Sequence, residues 1–548
     1  MLKSKKSRLC ALVMSAAIVG TLLSGCGSNT SSTTKAEQKI TYNLGADPKT
    51  IDPGLNSSVE GATVIANAFE GLTDLDTKSQ PIPGVATKWD ISSDGKHYTF
   101  HLRKDAKWSD GKPVKAQDFE YAWKRALAPE TASDYAYQLY YLKGGEAYNE
   151  GKGSADQVGV KATDDYTLDV DLENPTPYFL FLASFQTYMP IRKDIVDAHP
   201  KDWATKGATY VSNGAFKLQD WKPKDSLTFV PNPNYWNAKS VKLTTLKYTV
   251  LDQETSYMSA FQSGQVDIID APPTEQIPTL LKNGTAKTYV NLGTYYYSFN
   301  LAPDAAKINP AAAKVMQDVK VRQAISLAID RTKIVKDVTK GGQTPSTSFV
   351  PSGMLVNGKE FKDKQYYKPE GDVAQAKQLL AEAGYPDGKG FPNLELIYNN
   401  GQGHQSVAQT VQDMLKKNLN IDITLRSVER TVQLNSTTKH QYIMARNGWS
   451  ADYADPMTFL DMWVTGAGNN VAGYSNPDYD KLIAAAKSEP NAAKRDDEMH
   501  QAQDILMKDM PVLPLYEYNV VSCAKSYVKG VFRTPMDTLY FQNAYVQK

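Results

Sequence analysis

The feature that most constrains the fold is an alternation of strand and helix patterns in the second half of the chain. Residues 319–329 have the apolar spacing of a helix, and residues 394–398 form a short apolar run typical of a strand. Apolar residues then lie on one face of a helix over 407–415, and they alternate in a strand over 421–425. A strand, a helix and a second strand in this order predict a βαβ crossover, which places this part of the chain in an α/β domain.

The first half of the chain also has a mixed pattern. Strand patterns at 166–172, 226–230 and 245–251 stand beside a helical stretch at 256–262. A chain of 548 residues is too long for one ordinary hydrophobic core. The sequence therefore predicts three or more domains, arranged as lobes.

The first 39 residues predict export and attachment to a membrane. A basic start precedes an apolar run over 9–23, which is shorter than the roughly 20 residues that cross a bilayer. Residues 23–26 (LSGC) resemble a bacterial lipobox, which implies that Cys26 carries a diacylglyceryl group and becomes the first residue of the mature chain. We expect a lipoprotein signal peptide over 1–25, a flexible tether over 26–39, and an extracytoplasmic protein anchored to the cell membrane. A plain signal peptide with an incidental cysteine is the alternative.

Charge and cysteine content bear on two other properties. The 61 basic and 60 acidic side chains nearly balance, so the chain lacks the basic footprint of a nucleic-acid-binding protein. With Cys10 in the signal peptide and Cys26 modified by lipid, only Cys523 remains, so no disulfide can form within the mature chain. Cys523 lies in an apolar stretch and is expected to be buried.

Motifs of the common enzyme and metal sites are absent from the sequence. There is no H-E-x-x-H, C-x-x-C, G-x-S-x-G or G-x-x-x-x-G-K-[ST], and the six histidines are scattered. Ser436 and Lys439 have the S-x-x-K spacing of penicillin-binding acylases, but neither S-D-N nor K-T-G accompanies them. Metal, acyl-transfer and ATP-site hypotheses therefore each lack the residues they need, and we expect no catalytic activity, metal or cofactor.

Residues 445–460 (ARNGWSADYADPMTFL) are the strongest candidate binding segment. They combine a cation, an indole and two carboxylates within ten residues: Arg446, Trp449, Asp452 and Asp455. Pro456 excludes one continuous helix, so a loop is expected, with Asp455 capping the helix after the proline. A carboxylate for an ammonium, a guanidinium for a carboxylate and an indole for apolar atoms suit an amino acid or a peptide. The alternative is a half-buried tryptophan in a solvated, charged turn.

Two parts of the sequence resemble one protein family. Residues 448–453 (GWSADY), followed by Pro456 and Phe459, resemble the ligand loop of the oligopeptide-binding, family 5 solute-binding proteins of ABC importers. The turn WSDGKPV at 108–114, followed by a helix entered at a D-F step, is similar to a longer signature of the same family over 84–119. The second signature is expected to be structural and to make no ligand contact.

The resemblance implies roles for individual residues. Asp452 is expected to pair with the free α-amino group of a bound peptide, and Trp449 to pack along the first residues of that peptide. Arg446 matches a position that meets the carboxylate end of peptides of certain lengths. Further ligand positions are implied in the same way: Tyr135, Val59 within an extended segment at 57–60, Asn213 within a turn at 212–216, and Ser450, where some relatives have a disulfide-forming cysteine.

The implied fold is an α/β, two-lobed periplasmic-binding-protein type II (cluster C) fold with an extra domain and a hinge that the chain crosses twice. The implied function is capture of peptides in a closing cleft and delivery to the permease subunits of an ABC importer, by a monomer. The alternatives are a same-fold binder of another solute (a dipeptide, nickel, haem or a sugar), a peptide-pheromone receptor and a surface hydrolase. The expected divisions are domain I of lobe 1 at 40–80 and 206–293, domain II at 81–205, lobe 2 (domain III) at 294–518, and a return to lobe 1 at 519–548.

Overall fold

The computed structural model describes residues 37–77, 79–356, 358–401 and 403–548. The predicted signal peptide, Cys26 and most of the predicted tether lie outside the described residues. In the ranges described, none of the helices combines the length and the apolar character needed to cross a bilayer. Residues 37–548 pack as a single unit.

The strands are numbered along the chain. They are β1 Lys39–Asn43, β2 Thr73–Leu75, β3 Pro81–Pro83, β4 Ala86–Ile91, β5 His97–Leu102, β6 Val160–Asp164, β7 Thr167–Asp171, β8 Phe216–Lys222, β9 Ser226–Pro231, β10 Thr245–Thr249, β11 Ile268–Asp270, β12 Ala286–Phe299, β13 Thr344–Pro345, β14 Leu355–Val356, β15 Lys359–Glu360, β16 Leu394–Asn399, β17 Ile423–Val428, β18 Met444–Ser450, β19 Val512–Ala524, β20 Val528–Lys529, β21 Phe532–Arg533, β22 Leu539–Tyr540 and β23 Tyr545–Val546.

The α-helices are numbered in the same way. They are α1 Val59–Ala68, α2 Ala116–Leu127, α3 Gly145–Asn149, α4 Phe179–Leu182, α5 Lys193–Ala198, α6 Glu254–Ser263, α7 Ile277–Lys282, α8 Ala305–Ile308, α9 Pro310–Met316, α10 Val319–Leu327, α11 Arg331–Lys333, α12 Val373–Glu382, α13 His404–Leu419, α14 Arg430–Thr438, α15 Met457–Leu460, α16 Pro477–Ser488 and α17 Ala492–Asp509. A π-helical turn follows α11 at Ile334–Thr339, and short 3₁₀ turns lie at Pro129–Thr131, Ala136–Leu139, Ala155–Gln157, Gln186–Tyr188, Ala238–Ser240, Thr274–Gln276, Pro386–Gly388 and Asp461–Trp463.

An eleven-stranded mixed sheet runs through the molecule in the order β17-β16-β18-β12-β19-β11-β1-β10-β9-β8, and β13 also pairs with β19. Its β16 and β17 are parallel neighbours joined by α13, so the predicted βαβ crossover is confirmed. The apolar face of α13 buries Val407, Val411 and Leu415 in a core that also contains Leu394 and Leu396 of β16. The apolar face of the helix and the apolar side chains of the strand therefore pack into the same core.

Two long strands, β12 and β19, join the two halves of this sheet. The first half contains β11, β1, β10, β9 and β8, and the second half contains β17, β16 and β18. The first part of β12 pairs with residues 519–523 of β19, and its second part pairs with β18 and with residues 512–517 of β19. The pairing of β12 with β19 is interrupted between Val290 and Thr294. Gly293 lies in this interruption, where a Cβ atom would come within 2.7 Å of the Trp449 carbonyl oxygen. Because both strands pass from one half to the other, the chain crosses between the lobes twice, as the fold class predicts.

A separate antiparallel sheet, β4-β5-β7-β6, packs with α2 and forms the extra domain. The indole N–H of Trp108 donates to Asp118 Oδ2 at 3.0 Å, and the backbone N–H of Lys115 donates to the same oxygen at 2.9 Å. These bonds tie the turn at 108–114 to the first turn of α2. The W-S-D-G signature thus stabilises a turn and a helix, which fits its expected structural role.

The cysteine of β19 behaves as its sequence context predicts. Cys523 is a free thiol and is completely buried. It packs in a small core with Tyr257, Phe261 and Ile269, beside the first part of β12. Burial raises the pKa of this thiol to about 12, so it is protonated at neutral pH.

Candidate functional site

A cleft of about 390 Å³ lies between the two halves of the large sheet and is also bounded by the extra domain. One wall comes from the carboxyl end of β1, the start of α1 and Tyr135 of the extra domain. The other wall comes from the ends of β16 and β18, the start of α13 and one face of α14. Clefts between lobes are common positions for small-ligand sites, so the residues of these walls are the candidate functional residues.

The segment 445–460 is organised differently from the expected loop. Its first part is the strand β18, in which residues 444–450 all pair with β12. Pro456 excludes a continuous helix but lies beyond the strand and places no restriction on it, which is why the expectation of a loop over the whole segment was wrong. On its other side β18 pairs with β16 only through Met444 and Ala445. From Arg446 to Ser450 this edge of β18 borders the cleft, with no strand of the described chain paired to it.

Asp452 lies just beyond the end of β18, and its carboxylate faces the cleft. The Tyr135 hydroxyl donates to Oδ1 at 3.2 Å, and the Gln138 amide donates to Oδ2 at 3.1 Å. Within the described residues no lysine or arginine forms an ion pair with this carboxylate. Burial raises the pKa of Asp452 well above its usual range, and the charge of Asp461 adds to the rise. A half-buried carboxylate with only neutral donors can receive a cationic group from a ligand.

An aromatic wall stands beside this carboxylate. The Trp449 ring stacks on the Tyr135 ring with centroids 6.2 Å apart, and the Tyr135 ring also contacts Phe185 at 5.2 Å. The Trp449 indole N–H donates to the Thr458 carbonyl oxygen at 2.8 Å, and the Thr458 hydroxyl accepts from the backbone N–H of Asp452 at 3.0 Å. Thr458 therefore fixes both the indole and the carboxylate, so the charged and apolar parts of the site have a set relative position.

Arg446 lies earlier on β18 and is buried. Its guanidinium donates to Asn399 Oδ1 at 3.1 Å and to the Tyr518 hydroxyl at 2.7 Å, and it lies 4.7 Å from the Tyr295 ring centroid. Its Nε atom has no hydrogen-bond partner in the described chain. All of these contacts are neutral, so Arg446 retains an uncompensated positive charge beside the cleft.

Two further residues line this part of the cleft, and sequence reasoning missed both: the cation Arg430 and the histidine His404. Arg430, the first residue of α14, donates to Gln433 Oε1 at 2.7 Å and lies 3.8 Å from the carboxylate of Glu60 in α1, on the facing wall. His404, the first residue of α13, has Nδ1 3.3 Å from the Tyr295 hydroxyl. Burial holds the pKa of His404 well below its usual value, and the charges of Arg446 and Arg430 lower it further, so the ring is neutral at pH 7.

These residues were missed because they begin helices far from the segment 445–460. One signal was available for His404, since a Gly-rich turn at 401–403 followed the strand pattern of β16 and preceded a helix. Ligands of open α/β sheets bind at the carboxyl ends of parallel strands, which is where His404 lies. Gln138 follows Tyr135 by three residues in a 3₁₀ turn, and nothing in the sequence distinguished it.

The remaining predicted positions divide between the cleft and the scaffold. Tyr135 and Ser450 line the cleft, and the Ser450 hydroxyl donates to Asn291 Oδ1 at 3.1 Å. Val59 also lines the cleft with an exposed side chain, but it is the first residue of α1, so the extended backbone expected at 57–60 ends at Ser58.

Asn213, also predicted to contact the ligand, is not among the residues that line the cleft. Its side-chain oxygen accepts from the backbone N–H of Glu70 at 3.1 Å, and its amide donates to the Glu70 carbonyl oxygen at 2.9 Å. The side chain is buried, and both of its polar ends are occupied by the scaffold. The family-like turn at 212–216 therefore fastens the chain after α1.

Asp455 has a larger role than the expected helix cap. Its Oδ1 accepts from the backbone N–H of Met457 at 2.9 Å, at the start of α15, as a capping carboxylate does. Both of its oxygens also accept from Arg495 of α17, at 2.7 and 2.9 Å. This buried bidentate pair anchors the loop 451–456 to α17 and engages both Asp455 oxygens, and Asp455 is not among the residues that line the cleft. In the ranges described, no three His, Cys, Asp or Glu side chains converge as a possible metal site.

Comparison with known sequences gives a consistent family. The family model for bacterial extracellular solute-binding proteins, family 5 Middle, matches residues 80–471. The oligopeptide-binding protein OppA of Bacillus subtilis (strain 168) is 40% identical over 547 residues, which cover 97% of this chain and 97% of that protein.

Solved structures share the fold. Haemophilus influenzae OppA in complex with the peptide RPPGFSPFR has a TM-score of 0.87 at 33% identity, covering 94% of this chain and 99% of that one. The murein tripeptide binding protein MppA of Escherichia coli has a TM-score of 0.85 at 33% identity in one structure (94% and 99% coverage) and 0.61 at 32% identity in its unliganded open form (93% and 98%). The lobes of this chain are therefore arranged as in the first of these two MppA structures and not as in the unliganded open form. The chain belongs to the bacterial extracellular solute-binding proteins of family 5, which are binding proteins and not enzymes.

Proposed function

We propose that this protein captures peptides in its cleft by binding their free α-amino group at Asp452. The observation that carries the proposal is a partly buried carboxylate that faces the cleft, accepts only from Tyr135 and Gln138, and has no ion-pair partner in the described residues. The names of related proteins support the same ligand class, since one is an oligopeptide-binding protein and another was solved with a nonapeptide bound.

The energetics favour an ammonium over a neutral group at this position. A hydrogen bond to a charged partner contributes about 1.5–3 kcal/mol. Removing one member of a buried ion pair costs about 3–5 kcal/mol, because the other charge stays buried and unpaired. The aromatic wall of Trp449 and Tyr135 excludes water and provides a surface for the first residues of the peptide.

We propose that the basic part of the cleft receives the carboxylate end of the ligand. Arg446 is the principal candidate, because its contacts to Asn399, Tyr518 and Tyr295 are all neutral and its Nε donor is unused in the described chain. Arg430 lies nearby and keeps donors available beyond its contacts with Gln433 and Glu60. Which of the two arginines is used then depends on the length of the peptide.

The main chain of the ligand has a matching surface. The cleft-side edge of β18 from Arg446 to Ser450 has no paired strand in the described chain. An extended peptide added there as a strand forms backbone hydrogen bonds that do not depend on its side chains. This arrangement supports binding of peptides of varied sequence, with the orientation set by the charges at the two ends.

We further propose that the protein is a monomer anchored outside the cytoplasm through Cys26 and delivers its ligand to the permease subunits of an ABC importer. The lipobox-like residues 23–26 and the extracellular description of the family support this location. Closure of the lobes changes the surface that a permease contacts, so the permease can distinguish the liganded protein from the unliganded one. In cells that express the full chain, Cys26→Ser is expected to move the protein from the membrane fraction to the soluble fraction, whereas Cys523→Ser leaves it membrane-bound.

The test of the ligand class is calorimetric titration with two matched peptides. Protein beginning at Gly27 is unfolded and refolded to remove co-purified ligand, and is then titrated with a mixed-sequence pentapeptide and with its N-acetylated twin. We expect the free peptide to bind at least tenfold more tightly, because acetylation removes the charge that Asp452 requires. Equal affinities, or no binding of either peptide, contradict the proposal.

A further inference from the structure

The extra domain and the second half of the sheet meet through their backbones next to Asp452. The loop 464–470 lies against the main chain of Asp134, which directly precedes Tyr135. A Cβ atom at Gly468 would lie 2.5 Å from the Asp134 carbonyl oxygen, 3.1 Å from its carbonyl carbon and 3.2 Å from its Cα. Glycine is therefore the only residue that permits this approach without movement.

The loop that carries Gly468 is held rigidly by its own half of the molecule. The Asn470 amide donates to the carbonyl oxygens of Val464 and Tyr474 at 3.1 and 2.8 Å, and its side-chain oxygen accepts from the Tyr474 N–H at 3.0 Å. A clash at Gly468 is therefore relieved more easily by moving the two halves apart than by reshaping the loop. Asn469 adds one polar contact across the same boundary, to the Tyr137 hydroxyl at 3.2 Å.

On the other side of this boundary, Asp134 is held in place by two side-chain contacts. Its carboxylate accepts from Lys49 at 2.6 Å and from the Ser57 hydroxyl at 2.9 Å. The next residues in the chain include Tyr135 and Gln138, the two donors to the Asp452 carboxylate. A displacement of the Asp134 main chain therefore displaces both donors relative to Asp452.

We propose that Gly468 is a positioning residue, which sets how closely the extra domain approaches the second half and thereby places Tyr135 and Gln138 on Asp452. In this role the contact between Gly468 and Asp134 completes the ammonium pocket only when the lobes are closed. The inference rests on the proposed recognition of a free α-amino group at Asp452.

Gly468→Ala is expected to keep the extra domain and the second half of the molecule apart. The contact must lengthen from 2.5 Å to at least 3.4 Å before it becomes ordinary van der Waals contact. The bond from Tyr135 to Asp452, already 3.2 Å long, is then lost and water reaches the carboxylate. In water the attraction between an ammonium and a carboxylate is much weaker, so the preference for a free amino group falls.

The same loop offers a matched control. Gly466 has φ = +80°, so an alanine there strains the backbone, but nothing lies within 4 Å of the Cβ position. Gly466→Ala therefore perturbs the loop without touching the extra domain. Tyr137→Phe is a second test variant, because it removes the hydroxyl that accepts from Asn469 and that also contacts Gln138, one of the two donors to Asp452.

The experiment combines small-angle X-ray scattering with the two peptide titrations. We expect the wild type and Gly466→Ala to become more compact with the pentapeptide and to prefer it over the N-acetylated twin. Gly468→Ala is expected to stay expanded, to bind the free peptide at least tenfold more weakly, and to lose most of its preference over the acetylated peptide. Tyr137→Phe should change the preference in the same direction by a smaller factor.

The outcomes separate this inference from the proposed function. If Gly468→Ala compacts and discriminates as Gly466→Ala does, the positioning role is wrong. If the wild type itself does not discriminate, the proposed function fails, and the scattering of Gly468→Ala alone decides whether the contact controls closure. If Gly468→Ala does not melt cooperatively, Tyr137→Phe carries the test, and an unchanged preference in that variant overturns the inference.

Discussion

The two charged regions of the cleft are built in different ways. Asp452 stands on the second half of the molecule, but its donors Tyr135 and Gln138 come from the extra domain. Arg446 is held by Asn399, Tyr518 and Tyr295, which are all in β16, β19 and β12, the strands around it. The anionic region is therefore assembled from both sides of the cleft, whereas the contacts of Arg446 all come from the strands around it.

This difference predicts a division of labour between the two ends of a ligand. The anionic region provides one carboxylate and takes its final form only in the closed molecule, so it fixes one end of every ligand in one place. The cationic region offers Arg446, whose contacts come from its own strands, and Arg430, which lies 3.8 Å from Glu60 of the facing wall. Ligands of different length can then share one amino-terminal position and differ in where their carboxylate lies.

The largest effect is expected from Asp452→Asn. The variant keeps the size of the side chain but leaves the ammonium of the ligand buried without a counter-charge, at a cost of about 3–5 kcal/mol. We expect the affinity for a free pentapeptide to fall on the order of a hundredfold or more. Asp422→Asn, which removes an exposed carboxylate paired with Lys416, is the control and should leave the titration unchanged. A loss of less than tenfold for Asp452→Asn contradicts a single fixed amino-terminal site.

Arg446→Gln tests the cationic region and its proposed contact with the carboxylate end of the peptide. Loss of a charged hydrogen bond costs about 1.5–3 kcal/mol, so we expect a loss of at least tenfold for peptides whose carboxylate reaches this position. Peptides of two to six residues, each with a free or an amidated carboxyl end, show which lengths are affected. Arg426→Gln, which changes a partly exposed arginine paired with Glu395, is the matched control. An equal loss at every length means that the carboxylate end is as fixed as the amino end.

The raised pKa of Asp452 predicts a proton-linked step. Burial favours the protonated carboxyl in the unliganded protein, whereas a bound ammonium favours the carboxylate. Binding therefore releases up to one proton, and the affinity falls by at most about tenfold per pH unit below the raised pKa. The unliganded fold shows the opposite dependence, because the stability from a raised carboxyl pKa is present at low pH and is lost as the pH rises through it.

Titrations in two buffers of different ionisation enthalpy measure the released protons directly. Asp452→Asn should release none at the same pH. Proton release that persists in this variant assigns the linkage to another group, and Asp461 is an acidic candidate because its charge contributes to the raised pKa of Asp452.

The smallest expected effect is that of Tyr135→Phe. The variant keeps the ring that stacks on Trp449 and removes only the hydroxyl that donates to Asp452. One such hydrogen bond contributes about 0.5–1.5 kcal/mol, so the affinity for a free peptide should fall by about two- to tenfold. The N-acetylated peptide serves as the control, because its binding should change less. A larger loss than for Asp452→Asn reverses the assigned roles of the two residues.

The sequence predicted the parts of the fold that local patterns determine. The βαβ unit follows from helical spacing over α13 and alternation in β16 and β17, and the two crossings follow from the family resemblance. The strand β18 was missed because its cleft-facing part carries Arg446, Asn447 and Trp449 in place of an alternating apolar pattern. Propensity reasoning fails there because the strand is stabilised by pairing with β12, which lies far away in the sequence.

The site could be predicted only where its residues are close in sequence. Asp452, Trp449 and Arg446 stand together, and the structure places all three on the cleft wall. Arg430, His404 and Gln138 come from other segments and converge only through the fold. The bonds between Asn213 and Glu70 could not be foreseen, because a polar turn that fastens a scaffold and a polar turn that meets a ligand have the same composition.

The most direct test of the central claim is a thermodynamic cycle between Asp452 and the α-amino group of the ligand. Wild-type protein and Asp452→Asn are each titrated with the free and the N-acetylated pentapeptide, and the four dissociation constants give one coupling free energy. We predict a coupling of at least about 1.5 kcal/mol, with acetylation costing affinity in the wild type and little in the variant. A coupling near zero, with both proteins equally sensitive to acetylation, would show that the amino group binds elsewhere.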